Sequence, residues 1–236
     1  MGSNETRCPI VFACDDAYAM PLATALRSVV EANTDAWPCE FHVITDSISA
    51  DNQRKIFKSL PSGSASIRWI NVDISPFREF QTLGHISRIT YARLLIPYVF
   101  PEAVSKVLYL DADTLVLDNL QPLWEADLHG SAVAAVLDRL VLWHIKSSRP
   151  GWEQIPKVRD YFNAGVLLID LKRWRELRIS EKAVKYLQAH PKSPFSDQDA
   201  LNVAGDGLWT RAGSAVELPR LLRKQEAFTV ERRGAT

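Results

Sequence analysis

The sequence predicts an α/β fold, a single Rossmann-like domain whose mostly parallel central sheet is flanked by helices, and three observations predict it. Short β-prone apolar runs alternate with segments of helical spacing, the pattern of βαβ units. Most of those runs stop abruptly at an aspartate, as strands do when their carboxyl ends open onto a polar crevice. The 236 residues, 47% hydrophobic and 24% charged, suffice for one ample core of ordinary composition.

The first strand is Pro9-Ile10-Val11-Phe12-Ala13, ended by Cys14-Asp15-Asp16. A helix follows from Pro21 to Ala32, with Leu22, Leu26, Val29 and Val30 on one stripe. Phe41 to Thr45 is the second strand, followed by Asp46. Ser49 then caps a helix carrying Ile56, Phe57 and Leu60, which Pro61 and Gly63 stop. Ser66 to Val72 is the third strand, ending at Asp73. Asp46 and Asp73 are read as turn and cap residues.

Ser87 to Val99 has helical spacing through Ile89, Leu94 and Leu95, with Arg93 among them. Lys106 to Leu110 suits a strand buried on both faces. Asp111-Ala112-Asp113 comes next, then the apolar stretch Thr114 to Leu117. Ala132 to Leu137 is a strand ending at Asp138, and 140–158 reads as an irregular loop. Asn163-Ala164-Gly165 precedes the strand Val166 to Asp170. Lys172 to Ala189 reads as one helix, Pro191 and Pro194 break the chain, and Ser196 caps a helix starting at Asp197. There is no internal repeat and no low-complexity segment.

Twenty-eight basic side chains balance twenty-eight acidic ones, so nucleic acid is not an expected partner. Cys8, Cys14 and Cys39 are odd in number and lack zinc spacing, and the five histidines show no zinc-type pairing; a reducing cytosol is the expectation. Residues 1–8 are polar, without the apolar region of a secretory signal, and no run of eighteen apolar residues occurs. The expectation is therefore a cytoplasmic protein, with peripheral contact at the inner face of the membrane left open. No G-x-G-x-x-G or P-loop pattern is present, which disfavours a dinucleotide or ATP cradle.

Asp111 and Asp113 lie two residues apart at a strand end, so their carboxylates point the same way across a small residue. Together they can hold a hard divalent cation, which would neutralise a diphosphate and stabilise it as a leaving group. Asp15 and Tyr18 fit two readings equally. They could bind a ribose and stack on a base, or form a helix-start aspartate beside a core tyrosine. Asn163-Ala164-Gly165 and Asp197-Gln198-Asp199 suit hydrogen bonds to sugar hydroxyls, though each alone is also an ordinary turn or cap. Arg93 could bind a phosphate or a carboxylate.

Taken together, these residues resemble glycosyltransferase family 8, in particular its bacterial lipopolysaccharide α-galactosyl- and α-glucosyltransferases. The resemblance rests on Ile10 to Tyr18, His85-Ile86-Ser87, Thr90-Tyr91-Ala92-Arg93 and Val107 to Asp113. It continues through Tyr161 to Ile169 with Trp174, and Asp197 to Asn202, covering residues 9 to about 205 in order and spacing.

The resemblance implies a GT-A fold, a UDP-sugar donor, manganese (or magnesium), and transfer with retention at the anomeric carbon. It implies that Asp15 and Tyr18, with the Ala13 backbone, hold the uridine, and that Asp111 and Asp113 bind the metal. Asp111 and Ala112 would also border the nucleotide. Arg93, Asn163, Ala164, Asp197 and Gln198 would line the donor sugar. Gln198 matches the position on the reacting face, Asp138 the aspartate considered as a nucleophile or acceptor contact, and His85 an acceptor-side residue. Gln198 is an amide and a poor nucleophile, and Asp138 is expected to lie far from the anomeric carbon. Front-face attack is therefore favoured over double displacement, with the departing phosphate taking the acceptor's proton. The acceptor would be a saccharide or lipid-linked saccharide.

The sequence departs from the family pattern in two places. Ala17 stands where many bacterial relatives carry asparagine. After Asn202 the family continues into an aromatic-rich segment and an H-x-x-G-x-x-K-P-W motif, which supplies a third protein ligand to the metal and a lysine for the diphosphate. Here no histidine follows His190. The expected organisation is a disordered N-terminus at 1–8, a GT-A domain at 9–205 and a divergent basic tail at 206–236. A reading-frame change after Arg211 is the favoured origin of that tail, against a frayed basic end or a surface-binding one. Two functions stand: a retaining hexosyltransferase using UDP-galactose or UDP-glucose, and a catalytically silent UDP-sugar-binding pseudoenzyme. A sugar-1-phosphate nucleotidyltransferase is a weaker third, lacking its glycine-rich loop.

Overall fold

The computed structural model describes residues 9–33, 39–82, 87–147, 154–212 and 222–224. The expected disordered N-terminus, His85 and most of the basic tail lie outside the described residues.

In chain order the elements begin with β1 (Pro9–Ala13), α1 (Ala19–Ala32), β2 (Cys39–Thr45), α2 (Ala50–Ser59) and β3 (Ala65–Asn71). Short 3-10 turns span Ser75–Phe77 and Arg88–Leu95, the second running into α3 (Ile96–Val99). Then come β4 (Lys106–Leu110), β5 (Thr114–Val116), α4 (Gln121–Trp124), β6 (Val133–Leu137) and α5 (Arg139–Ser147). The last are β7 (Phe162–Asp170), α6 (Leu171–Glu176), α7 (Ile179–Ala189), α8 (Asp197–Ala204), β8 (Trp209–Arg211) and β9 (Leu222–Lys224). No described helix is long and apolar enough to cross a membrane.

Seven strands form one sheet in the order β3-β2-β1-β4-β7-β6-β8. β7 alone runs against its neighbours; the other pairings are parallel. Alternation along each strand divides the core between two faces. Ile10, Phe12, Leu108 and Leu110 pack with Leu22, Leu26 and Val29 of α1. Val11, Val107 and Tyr109 face the layer of Tyr91, Leu94, Trp174 and Leu187. Each of these apolar side chains, taken fully out of water, contributes roughly 1.5–3 kcal/mol.

Local chemistry sets several boundaries. Ser49 caps α2 as expected, its Oγ accepting from Asn52 N at 3.2 Å. Asp46 accepts from Ser47 Oγ and Asp73 from Ser75 N, each at 2.8 Å, the bonds of turn residues.

Four expectations are corrected. Residues 140–158 are not loop throughout, because α5 starts directly after Asp138, whose Oδ1 accepts from Val141 N at 3.0 Å. Val141 of that helix is buried, while Leu140 and Trp143 are exposed. The helix read over Lys172–Ala189 is two helices, broken at Arg178, which sits at φ 54°. Arg88–Leu95 is a 3-10 segment rather than regular helix. Asn163-Ala164-Gly165 lies inside β7 rather than before it. The sheet also passes Gly205: β8 joins it beside β6, a strand of three residues and too short to show a period.

Candidate functional site

β1, β4 and β6 end on the same edge of the sheet, and β7, running the other way, begins there. That reversal brings Asn163 beside Asp111 and Asp138, and the N-terminus of α8 adds Asp197 and Gln198. Together they line an open cleft of about 300 Å³.

Asp111 is fixed from several sides. Its N–H donates to Gly165 O at 2.8 Å and its carbonyl accepts from Thr114 N at 3.0 Å, forming the turn that carries Asp113 into the cleft. Its Oδ1 accepts from Arg93 Nη2 at 2.9 Å and from the Tyr109 hydroxyl at 3.0 Å. Burial pushes the Tyr109 phenol well above its ordinary range, so it keeps its proton and donates. A Cβ on residue 165 would lie 2.6 Å from Asp111 Oδ2; glycine leaves that oxygen its place.

Arg93 is the buried cation of the cleft, 7% exposed. Nη1 donates to Ala164 O at 2.7 Å, Nη2 also reaches Thr90 Oγ1 at 3.0 Å, and Nε lies 2.7 Å from Asp197 Oδ2. Burial opposes its charge, but Asp111 and Asp197 outweigh burial and hold the guanidinium protonated. Burial raises the Asp197 carboxyl to about 6, with Arg93 as the main counterweight. It therefore stays ionised at neutral pH, and Thr90 Oγ1 donates to its Oδ1 at 2.8 Å.

Across the cleft, Asp138 Oδ2 accepts from Asn163 Nδ2 at 3.1 Å and Gln198 Nε2 at 3.3 Å. Gln198 Oε1 accepts from Ala164 N at 2.9 Å. Behind Gln198, the Tyr161 hydroxyl donates to Asp199 Oδ1 at 2.5 Å. Asn202 secures the start of β7 by accepting from Phe162 N at 2.7 Å. Ser196, just before α8, has φ 53° and ψ −121°. Its hydroxyl donates to Gln81 O at 3.0 Å rather than capping the helix expected of it.

The structure therefore brings together Ala13, Tyr18, Arg93, Asp111, Ala112, Asp113, Asp138, Asn163, Asp197 and Gln198 on one cleft. Ala164 is buried behind it and takes part through its backbone. Asp15 caps the turn at Asp16–Tyr18, its Oδ1 accepting from Tyr18 N at 3.1 Å. His85 lies outside the described residues. Sequence reasoning gave no individual role to Thr90, Tyr109 or Tyr161, and it read Asp199 with the sugar-binding group, whereas Asp199 is buried and bonded to Tyr161. Tyr109 was within reach of that reasoning, because strand alternation points residues 109 and 111 the same way. Tyr161 and Asp199 meet across 38 residues of chain, and no local pattern joins them.

Asp111 and Asp113 offer carboxylate oxygens, the donors a hard divalent cation takes, and Gly165 keeps clear the space that a side chain there would take from Asp111. The pair fits such an ion as part of a coordination shell. Among the described residues, no group of three or more His, Cys, Asp or Glu side chains is gathered for a metal.

The sequence model of glycosyl transferase family 8 matches residues 9–214. General stress protein A of Bacillus subtilis is 29% identical over 197 residues, 82% of this chain and 67% of that protein. A putative glycosyltransferase of Haemophilus influenzae is 32% identical over 196 residues, 82% of this chain and 58% of its own length. Among solved structures, the galactosyltransferase LgtC in complex with donor and acceptor sugar analogs matches with a TM-score of 0.77 and 37% identity. That match covers 87% of this chain and 73% of the other. The chain thus spans 67% and 58% of these two relatives, and between 19% and 60% of other curated glycosyltransferases it matches.

Proposed function

The chain belongs to glycosyltransferase family 8, and from that premise we propose that it moves a hexose from UDP-galactose or UDP-glucose to a saccharide or lipid-linked saccharide acceptor, with retention at the anomeric carbon. The observation that carries this reading is the meeting of Asp111 and Asp113 with Asn163, Asp197 and Gln198 on a single cleft. The pair of carboxylates suits a diphosphate-bound cation, and the other three suit a sugar.

Asp111 and Asp113 would hold manganese or magnesium. Bound there, the ion would neutralise the donor diphosphate and stabilise its charge on departure. Ala13, Tyr18 and Ala112 line the cleft at the end of β1, where uridine would lie, with Asp15 next to them. Arg93 locks Asp111 and Asp197 into one rigid floor, so the diphosphate side and the sugar side keep a fixed separation.

Asp138 and Gln198 favour front-face attack. One Asp138 oxygen caps α5 and the other takes two amide donors, which ties the carboxylate in place as an acceptor-side contact. Gln198 is an amide and a weak nucleophile. The departing phosphate then receives the acceptor's proton, and His85 belongs on the acceptor side of this scheme. Isolation of a covalent glycosyl-Asp138 species would overturn it.

Titrating UDP with and without manganese, followed by turnover of UDP-galactose and UDP-glucose, tests the proposal. The expected result is manganese-strengthened binding and sugar release, with release abolished in Asp113→Asn. Nucleotide binding indifferent to manganese removes the metal's role; absence of nucleotide binding removes the reading.

A second reading has its own observation. Asp111 shares its Oδ1 with Arg93, and no third acidic, histidine or cysteine side chain joins the pair among the described residues. A UDP-sugar-binding protein that does not turn over is consistent with such a sparse shell. Saturable UDP binding with no release from any donor would select it.

A further inference from the structure

We infer that Tyr161 is a positioning residue for this transfer, one that fixes which end of the Gln198 amide faces Asp138. The inference rests on the glycosyltransferase reading above. A glutamine amide presents a carbonyl oxygen and an NH₂ group of nearly equal shape, and a half-turn of its end group exchanges an acceptor for a donor at the reacting face. Something must choose between the two.

Three groups share the choice. Ala164 N donates to Oε1 at 2.9 Å, so the oxygen belongs on the β7 side. On the other side Nε2 meets Asp138 Oδ2 at 3.3 Å and the Tyr161 oxygen at 3.4 Å. A phenol has one proton, and Tyr161 gives its proton to Asp199. Its oxygen can then only accept. A reversed Gln198 would set a carbonyl oxygen against that lone pair and against the Asp138 carboxylate together, with both Tyr161 and Asp199 wholly buried. In so little solvent an unmatched pair of acceptors is costly.

Asp199 is itself fixed, accepting from Ser193 Oγ at 2.7 Å and Phe195 N at 2.8 Å on its other oxygen. Neither Tyr161 nor Asp199 lines the cleft. They act through Gln198. The chain of direction therefore runs from the loop before α8, through Asp199 and Tyr161, to the amide at the reacting face.

Tyr161→Phe tests this while keeping the ring in its cluster with Val141 and Ile155. The expected result is a fall in kcat for UDP-sugar turnover of roughly 10- to 100-fold, the scale of a small misplacement in a site, with donor KM and UDP affinity within about twofold. In a Gln198→Ala background the same substitution should then have no further effect. Full additivity of the two losses would overturn the inference, as would an equal loss of UDP affinity. A second readout needs no turnover. The side-chain NH₂ resonances of Gln198, identified by their disappearance in Gln198→Ala, should shift in Tyr161→Phe. Lack of turnover by the native chain would sink the transferase reading, whereas unmoved resonances would sink the role of Tyr161.

Discussion

Arg93 and Asp111 form a nearly buried ion pair in the floor of the cleft, with Nη2 2.9 Å from Oδ1 and side chains 8% and 17% exposed. The same guanidinium meets Asp197 through Nε, so one cation serves two carboxylates from different elements. Arg93→Met should leave both acids facing each other in a poorly solvated space. Breaking a buried pair from one side costs about 3–5 kcal/mol, measurable by urea unfolding at pH 7. Arg93→Lys should fall between, because an ammonium keeps the charge without the planar fork. A loss for the methionine variant below about 1 kcal/mol, the level of an exposed pair, would show that water reaches these carboxylates freely.

Gly165 is placed by its neighbour. A methyl group there would meet Asp111 Oδ2 at 2.6 Å and Asn163 Oδ1 at 3.0 Å, and both contacts are with side chains that can turn aside. Gly165→Ala should therefore fold, but with the Asp111 carboxylate displaced and its bonds to Arg93 and Tyr109 strained, so the unfolding midpoint should fall. Affinity for manganese, followed by loss of the free-ion EPR signal, should fall by roughly 10- to 100-fold, as for changes just outside a metal's ligands. Unaltered manganese binding would mean that Asp111 Oδ2 has no part in holding the ion.

What sequence could show of this site follows from how local each piece is. β1 and β4 were legible because their apolar runs are continuous and stop at a polar residue, and they fall where expected; β2 and β3, whose β-prone runs are interrupted by polar residues, fall within two residues. Asp138 hid α5, since an aspartate read for its chemistry was not also read as a cap. Arg178 hid the break between α6 and α7, because a left-handed arginine has no sequence signature comparable to glycine. The reversal of β7 is likewise a matter of sheet direction, which an apolar run does not encode. Once β7 reverses, Asn163 moves from a turn to the wall of the cleft. The links from Arg93 to Asp197 and from Tyr161 to Asp199 are long-range, and only the fold discloses them.

Ser196 holds φ 53° and ψ −121° directly before Asp197 and Gln198, a conformation that a side chain strains and glycine accepts. Ser196→Ala and Ser196→Gly both lose the hydroxyl's bond to Gln81 O, so their difference isolates the backbone. After allowance for the greater freedom of an unfolded glycine, Ser196→Gly should be the more stable of the two by about 1 kcal/mol. Parallel urea titrations would decide it. An alanine variant at least as stable as the glycine one would mean that the start of α8 relaxes when the hydroxyl is gone.

His42 gives the protein a pH dependence away from the cleft. It is 4% exposed on β2, its ring 4.8 Å from that of Phe100, with Glu40 Oε1 3.2 Å from Nε2 and Arg68 opposite on β3. Burial lowers its pKa from 6.5, Glu40 pulls it back up and Arg68 adds to the lowering. The folded imidazole is thus neutral where the unfolded one begins to take a proton. Below about pH 6.5 the unfolded chain binds more protons, and stability falls as pH falls until the folded ring protonates too. Between those two points the loss runs at about 1.4 kcal/mol per pH unit. Asp197 acts in the opposite sense: its carboxyl, raised to about 6, adds stability as pH drops through that value. Comparison with His42→Leu cancels the Asp197 contribution. From pH 7 to pH 5.5 the native chain should lose more stability than His42→Leu; parallel curves over that range would show that the buried ring finds a proton without cost.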